Sequence, residues 1–339
     1  MSMDTIDILI VTRLEERFQR QIAEVGRRVR VYDAAELVRA ELERAPRLEV
    51  PVREREKLEG LLRNAEVILL STPPLDLLSR SPKLRWVQST SAGIDNMMGT
   101  GLLESDVIIT NTRGIHAILI GEYVLGTMLM FVKKAPLCFV NKQRKRWEEF
   151  VPSGLRGKTL GVISLGSIGQ EVARLAKAFG MRVVATKRSV MRQELSNMGV
   201  DEVYPRCDLL EMLGECDFVV LSVPLTKETA RMIGERELKV MKPTAYLINI
   251  SRGGIIDEKM LIRALKEGWI AGAGLDVFEK EPLPPESELW EMPNVIISPH
   301  IAGDNEMYNA RVAEIFCENL KRYLTGRPLI NVVDKEKGY

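Results

Sequence analysis

Side chains suited to anion binding and proton transfer stand directly after apolar runs in the second half of the chain. Arg252 follows the run AYLINIS, Asp276 follows AGAGL with Glu281 shortly after it, and His300 follows NVIISP. Each of them alone is as readily a turn former, a helix cap or a satisfied polar group. Because parallel strands end at one edge of a sheet, we expect all four to project into one crevice. The chain has two histidines, so chemistry that needs an imidazole near neutral pH depends on His116 or His300.

The stretch before these residues has the pattern of a dinucleotide-binding turn. An apolar run at 159–165, a helical pattern to 179 and a second apolar run at 181–186 predict a strand–helix–strand unit. Its turn has serine at the first glycine position of G-x-G-x-x-G and reads Ser164-Leu165-Gly166-Ser167-Ile168-Gly169. The glycines let a pyrophosphate approach backbone N–H groups at the helix N-terminus. This pattern alone leaves a structural turn of another α/β protein as the alternative.

The end of the second strand bears on the choice of cofactor. NAD-binding units usually place an acidic residue about 20 residues after the glycines, where it accepts from the ribose 2′-OH. Here the strand ends in Thr186, Lys187, Arg188 and Ser189. Two cations and two hydroxyls suit a 2′-phosphate, so the sequence predicts a preference for NADP(H), with NAD(H) possible. A solvated charged turn is the alternative.

Composition excludes several classes of protein. The 339 residues are enough for two domains, and the formal net charge of +1 gives no field that would recruit nucleic acid or an anionic membrane. No apolar run approaches the ~18 residues of a membrane helix, and the N-terminus has no basic segment typical of a signal peptide. The cysteines are scattered without metal-ligand spacing: Cys138, Cys207, Cys216 and Cys317. We therefore expect a cytoplasmic protein with reduced thiols and no metal.

Apolar strand patterns alternate with helical ones over residues 6–110 and again over 159–297, and this alternation predicts two α/β domains with parallel sheets. A long apolar helix is predicted from 118 to 134, and a second, more basic helix from 137 to 147. The basic run at 142–146 is interpreted as a solvated helix face.

Long motifs in the chain resemble the D-isomer-specific 2-hydroxyacid dehydrogenase family over nearly its whole length. They are LGVISLGSIGQEVARLAKAFG, the segment from VPLTKETARMIG through SRGGIIDEKMLIRALKEGWIAGAGLDVFEKEPLP, and NVIISPHIAG. The resemblance implies two Rossmann-like doubly wound domains: a flavodoxin-like substrate domain of residues 1–110 and 301–339, and an NAD(P)-binding Rossmann domain of residues 111–300. The departures from the family pattern are Ser164 at the first glycine and Lys187 at the strand-end acid.

The resemblance also assigns expected roles. Arg252 would bind the carboxylate and the C2 oxygen of a small 2-oxo acid, and His300 would exchange a proton with that oxygen. Glu281 would pair with His300 and favour the imidazolium. The turn Ser91-Ala92-Gly93 would offer backbone N–H groups to the carboxylate.

The expected cofactor contacts follow from the same motifs, with Asp276 at the nicotinamide end and Pro224 and Thr229 in the motif that lines the cofactor. The complete set of expected cofactor residues is Ser164, Gly166, Ser167, Ile168, Gly169, Thr186, Lys187, Arg188, Ser189, Val223, Pro224, Thr229, Ile250, Arg252, Asp276 and His300.

The activity expected is therefore reduction of a 2-oxo acid by NADPH, as in a glyoxylate/hydroxypyruvate-type enzyme, with a homodimer formed around Trp147. Two alternatives stay open. One is a nucleotide-sensing protein like the corepressor relatives of this fold, and the other is a dehydrogenase of formate or phosphite. The sequence assigns no role to His116, which we interpret as a structural residue, and suggests only that Arg113 influences the choice of substrate.

Overall fold

A computed structural model describes residues 5–43, 51–187, 199–304 and 306–336. The chain divides into two compact units, which we call the first unit (Met1–Ile115 with Asn305–Tyr339) and the second unit (His116–Asp304). The sequence placed the corresponding boundaries at 110 and 300, a few residues earlier in both cases.

The first unit contains a five-stranded parallel sheet whose three central strands are largely buried. Its strands are β1 (Ile6–Ile10), β2 (Val29–Asp33), β3 (Val67–Leu70), β4 (Trp86–Ser89) and β5 (Ile108–Thr110). Their order is β2-β1-β3-β4-β5, and every neighbouring pair is parallel. This is the flavodoxin-like order, so the predicted architecture of the first unit is confirmed.

The second unit contains a larger parallel sheet. Its strands are β6 (Thr159–Ile163), β7 (Arg182–Lys187), β8 (Glu202–Pro205), β9 (Phe218–Leu221), β10 (Tyr246–Asn249), β11 (Gly272–Leu275) and β12 (Val295–Ile297). The order β8-β7-β6-β9-β10-β11-β12 is that of a Rossmann domain extended by one strand. The order in which the chain adds strands reverses between the parallel neighbours β6 and β9. The Rossmann prediction is confirmed as well.

Helices cover the faces of these sheets because parallel strands need crossover connections. In chain order they are α1 (Glu16–Ala23), α2 (Ala35–Glu43), α3 (Val52–Asn64), α4 (Leu77–Arg80), α5 (Ala117–Val132), α6 (Ala135–Gln143), α7 (Ser167–Ala178), α8 (Leu209–Glu215), α9 (Glu235–Val240), α10 (Glu258–Glu267) and α11 (Tyr308–Leu324). Helix α6 ends earlier than the predicted limit at 147, because Lys145 has a left-handed φ of 53° that an α-helix does not accommodate.

Helix α5 lies unusually close to its neighbours in the second unit. A Cβ atom on Gly121 would lie 3.0 Å from the side chains of Glu171 and Leu175 on α7, and one on Gly274 of β11 would lie 2.6 Å from the Thr127 methyl group. Since only residues without a side chain allow this approach, α5 is held against both α7 and β11.

The C-terminal segment is fixed to the first unit by a buried hydrogen-bond network. The Trp86 indole donates to the Thr110 hydroxyl (2.7 Å), and that hydroxyl donates to the side-chain oxygen Oε1 of Gln88 (2.7 Å). From α11, Asn319 donates to the same Gln88 oxygen (3.2 Å) and accepts from the Ile330 N–H (2.7 Å). Buried polar groups are retained when they are paired in this way, so α11 belongs to the first unit although it follows the second in sequence.

No single helix in the described ranges has the length and apolar composition to cross a membrane; one bent pair, Ala117–Val132 with Ala135–Gln143, meets that test by length and composition. Between residues 5 and 336, leaving out the undescribed stretches, no group of three or more His, Cys, Asp or Glu side chains could hold a metal ion. The cytoplasmic location stays a prediction.

The four cysteines are free thiols. Burial raises the pKa of Cys216 to about 12 and that of Cys317 to about 11. A thiol becomes nucleophilic as the thiolate, so these two side chains serve packing.

Candidate active site

The glycine turn connects β6 to the N-terminus of α7 with the geometry that a dinucleotide requires. A Cβ atom on Gly169 would lie 2.2 Å from the Ser164 carbonyl oxygen and 3.0 Å from Ser222 Oγ, so the helix packs directly on the turn. A Cβ atom on Gly166, the N-cap residue of α7, would meet no described atom within 4 Å. The open space at the helix N-terminus fits a pyrophosphate bound by backbone N–H groups.

Ser164 adopts the conformation that glycine has in the usual pattern. Its φ is 83°, and a left-handed backbone costs a residue with a side chain about 1–2 kcal/mol. Hydrogen bonds hold it there: its N–H donates to the Thr186 carbonyl (3.2 Å), and its carbonyl accepts from the Ser222 hydroxyl (2.7 Å). The turn therefore keeps its shape despite the serine.

The carboxyl ends of β7 and β8 bring two cations to one place. Lys187 is the last residue of β7 and is paired in register with Pro205 of β8, and Arg206 follows at once. The Arg206 guanidinium donates to the carboxylate of Glu228 (3.1 Å) and to its backbone carbonyl. Sequence reasoning missed Arg206; the signal was a basic residue at the end of the strand next to β7.

Two of the residues proposed for the 2′-phosphate, Arg188 and Ser189, lie outside the described residues. Thr186, which completes that set, is buried at the end of β7, and its hydroxyl accepts from the Ser164 N–H (3.3 Å).

Arg252 follows β10 and is positioned by an unusually tight backbone contact. A Cβ atom on Gly253 would lie 1.8 Å from the Phe278 carbonyl carbon and 2.3 Å from the Glu279 nitrogen, so glycine alone fits here. The Asn249 side chain donates to the Arg252 carbonyl (3.0 Å), and the Arg252 Nη1 atom donates to the Ser251 carbonyl (2.8 Å).

His300 and Glu281 form the pair that the resemblance implies. His300 Nδ1 lies 2.7 Å from Glu281 Oε2, and the other Glu281 oxygen accepts from the Phe278 N–H at 3.0 Å. The His300 side chain is 47% exposed and that of Glu281 35%. The loop with Arg252 contacts Phe278, which in turn fixes Glu281, so the three residues are brought to the same edge of the sheet.

Asp276 is buried at the end of β11 and is engaged with the loop that carries His300. Its Oδ1 accepts from the Ser298 hydroxyl (2.5 Å) and the Ile301 N–H (2.9 Å), and its Oδ2 accepts from the Ala302 N–H (2.9 Å). Its role at the nicotinamide stays a prediction.

Other expected cofactor residues form the walls of this edge. The Thr229 hydroxyl is buried and donates to the Pro224 carbonyl (2.6 Å), and it accepts from the Thr226 N–H (2.8 Å), so it shapes the loop after β9. Val223 packs against one of the two hydrophobic clusters of the second unit, and Ile250 lies within the other.

The turn Ser91-Ala92-Gly93 belongs to the first unit. The Ser91 N–H donates to Ser89 Oγ (3.1 Å), and the Asn111 side chain donates to the Ala92 carbonyl (2.7 Å). In the part of the chain that the structure describes, the N–H groups of Ala92 and Gly93 donate to no protein atom, which is compatible with the expected anion-binding turn.

Of the two residues without an assigned role, His116 is the N-cap residue of α5 and its Nδ1 lies 3.0 Å from the Gly303 carbonyl oxygen. Arg113 is exposed and donates to the Val332 carbonyl (3.3 Å). Both contacts are with backbone groups.

Comparison with known proteins identifies the family. The NAD-binding domain of the D-isomer-specific 2-hydroxyacid dehydrogenases matches residues 125–302, and a glyoxylate reductase from Thermococcus litoralis is 37% identical over 80% of this chain and 83% of its own. The chain belongs to the D-isomer-specific 2-hydroxyacid dehydrogenase family. It is accordingly an NAD(P)-dependent oxidoreductase. A D-3-phosphoglycerate dehydrogenase from Methanocaldococcus jannaschii is 35% identical over 83% of this dehydrogenase and 54% of its own chain.

Solved structures of the family have the same fold as this dehydrogenase. A family member from Aeromonas salmonicida is 32% identical, with a TM-score of 0.81 over 98% of this chain and 100% of its own. An NADPH-dependent glyoxylate/hydroxypyruvate reductase from Sinorhizobium meliloti, solved with NADP and sulfate, is 26% identical, with a TM-score of 0.80 over 99% of this chain and 100% of its own.

The two glycines of the turn differ in what they tolerate, and this gives a matched pair of variants. Gly166→Ala should fold as the wild type, because its Cβ meets no described atom, but should weaken dinucleotide binding at least about tenfold by crowding the phosphates. Gly169→Ala should lower the melting temperature by several degrees, because its Cβ would overlap the Ser164 carbonyl oxygen. Thermal unfolding and fluorescence titration with NADPH measure the two effects. Equal loss of stability in both variants would contradict the assignment of Gly166 to phosphate binding and of Gly169 to packing of the helix on the turn.

Proposed function

We propose that this dehydrogenase reduces a small 2-oxo acid to the D-2-hydroxy acid, and carries out the reverse reaction, with His300 and Glu281 as the acid–base pair and Arg252 as the substrate-binding cation. The observation that carries the proposal is the 2.7 Å contact between His300 and Glu281. The segment that leads to Glu281 is in turn contacted by the Arg252 segment, through Gly253. The names of the relatives, glyoxylate reductase among them, support glyoxylate or hydroxypyruvate as substrate.

The orientation of the histidine determines which nitrogen reacts. Because Nδ1 of His300 faces the Glu281 carboxylate, Nε2 is the nitrogen available to the substrate oxygen, and the carboxylate stabilises the imidazolium. When bound, the nicotinamide supplies the hydride that reduces C2. His300 gives its Nε2 proton to the oxygen at C2 during reduction and removes that proton during oxidation.

Arg252 suits the substrate because its planar guanidinium can bind a carboxylate through two parallel hydrogen bonds and stays charged at every relevant pH. Its backbone is fixed on both sides, by the Asn249 side chain and by the Gly253 contact. The Ser91-Ala92-Gly93 turn is proposed as a second donor to the substrate carboxylate, through the N–H groups of Ala92 and Gly93.

The cofactor we propose is NADP(H), with NAD(H) as a poorer alternative. Lys187 and Arg206 follow neighbouring strands at the carboxyl edge of the sheet, where a 2′-phosphate would lie beyond β7. Arg188 and Ser189 add a further cation and hydroxyl in the sequence. The NADP bound to the reductase from Sinorhizobium meliloti supports the same preference.

A homodimer is proposed on the exposed apolar side chains of α6 and the segment after it. Trp147 is 92% exposed and Val151 89%, and Phe139 on α6 is 60% exposed; large exposed apolar side chains in one short stretch of chain are typical of an interface. Light scattering should give the mass of two 38.3 kDa chains, and Trp147→Glu should give one. The control variant Trp290→Glu changes a tryptophan that is 51% exposed elsewhere in the second unit and should stay dimeric; a wild-type monomer would contradict the proposal.

Replacing the proposed acid tests the chemistry. His300→Gln keeps a polar side chain of similar size but cannot transfer a proton, so kcat for glyoxylate or hydroxypyruvate reduction should fall about 10²–10⁴-fold. Glu281→Gln should cost less, because the imidazole keeps a hydrogen-bond partner at Nδ1 and loses only the neighbouring negative charge. Steady-state rates measure both.

The matched control is His116→Gln, which changes the other histidine of the chain. It should retain kcat within about threefold, because the imidazole bonds a backbone carbonyl. A loss in His116→Gln as large as in His300→Gln would overturn the assignment of the acid.

Removing the proposed phosphate-binding cations tests the cofactor preference. Lys187→Ala and Arg206→Ala should each raise KM for NADPH about tenfold, as expected for a lost charge-assisted hydrogen bond worth about 1.5 kcal/mol, and leave KM for NADH nearly unchanged. Lys239→Ala, at an exposed cation on α9, serves as the charge control. A wild type that uses NADH as well as NADPH would exclude the 2′-phosphate site.

A further inference from the structure

A chain of hydrogen bonds runs from α5 to the loop that carries His300. The Tyr123 hydroxyl on α5 lies 2.6 Å from Ser298 Oγ, and the Ser298 hydroxyl donates to Asp276 Oδ1 at 2.5 Å. Because serine has a single hydroxyl hydrogen and gives it to the carboxylate, Tyr123 must be the donor to Ser298. The chain therefore has one direction and ends on a carboxylate that is 2% exposed.

The same aspartate gathers three successive backbone groups of the catalytic loop. Its carbonyl accepts from the His300 N–H (2.8 Å), and its carboxylate accepts from the N–H groups of Ile301 and Ala302 (2.9 Å each). His300 itself has a left-handed φ of 55°. A residue with a side chain keeps such a conformation only where its surroundings hold it there, and Asp276 is what holds it.

From this we infer that Tyr123 and Ser298 are positioning residues for the reaction: acting through Asp276, they hold the His300 loop so that the imidazole stays aligned with Glu281 and the substrate oxygen. The inference rests on the proposed function, since it takes His300 as the acid. Neither hydroxyl needs to touch the substrate or the cofactor for this role.

The surroundings of Tyr123 keep its hydroxyl protonated. Burial of the phenol raises the pKa of Tyr123, and the neighbouring charge of Asp276 adds to that rise although the bond to Ser298 opposes it, so Tyr123 remains a donor.

The test uses four variants of the full-length protein. Tyr123→Phe and Ser298→Ala each break the chain, Ser298→Thr keeps the hydroxyl, and Tyr246→Phe is the control because it removes the hydroxyl of another partly buried tyrosine in the second unit. We expect kcat for 2-oxo acid reduction to fall about tenfold in Ser298→Ala and at least about threefold in Tyr123→Phe, with the dissociation constant for NADPH changed less than about twofold. Ser298→Thr and Tyr246→Phe should stay near the wild type.

A double-mutant cycle shows whether the two residues act in series. Once Ser298→Ala has broken the chain, adding Tyr123→Phe should cost no further kcat, whereas independent residues would give multiplied losses. Multiplied losses, or kcat in Tyr123→Phe and Ser298→Ala equal to that of Tyr246→Phe, would overturn the inference.

Amide hydrogen exchange gives a result that does not depend on activity. The peptide covering 298–304 should exchange at least about tenfold faster in Tyr123→Phe and Ser298→Ala than in Tyr246→Phe, because the N–H bonds to Asp276 weaken. Unchanged exchange would refute the positioning role. If the variants exchange faster as expected but the wild type reduces no 2-oxo acid, the structural link stands and the proposed function is wrong.

Discussion

The contact between Gly253 and the peptide joining Phe278 to Glu279 is the constraint on which the candidate site depends. A Cβ atom at residue 253 would lie 1.8 Å from a carbonyl carbon, so the two loops can meet only where one of them carries glycine. The residue before this glycine is Arg252, and Phe278 in turn donates to Glu281. One backbone contact therefore sets the positions of Arg252, the cation proposed to bind the substrate, and of Glu281, the carboxylate proposed to pair with the acid His300.

His300 is held from two sides by carboxylates with different tasks. Glu281 contacts its ring nitrogen and is the proposed partner of the imidazole in proton transfer, whereas Asp276 binds the backbone of residues 300–302 and is inferred to set where the imidazole lies. A parallel sheet makes this arrangement possible, because β10, β11 and β12 end side by side and deliver Arg252, Asp276 and His300 to one edge.

The fold was predictable because its signals are local. The alternating apolar runs predicted two α/β domains with parallel sheets, the family resemblance implied a flavodoxin-like and a Rossmann domain, and the structure confirmed both. What the sequence did not reveal depends on side-chain direction and on register. Arg206 becomes a candidate phosphate-binding residue only when Lys187 and Pro205 are found to be paired. The hydrogen bond from Ser298 to Asp276 joins residues that directly follow two different strands. The left-handed conformation of Ser164 likewise follows from the turn geometry and not from any preference of serine, and the early end of α6 follows from the conformation of Lys145.

The most direct test of the account is the product formed by the wild-type protein from hydroxypyruvate and NADPH. Chiral chromatography should detect D-glycerate, formed in equal amount to the NADPH consumed, because hydride is proposed to reach one face of C2 while His300 protonates the oxygen. L-glycerate, or no product from hydroxypyruvate or glyoxylate with either nicotinamide cofactor, would contradict it.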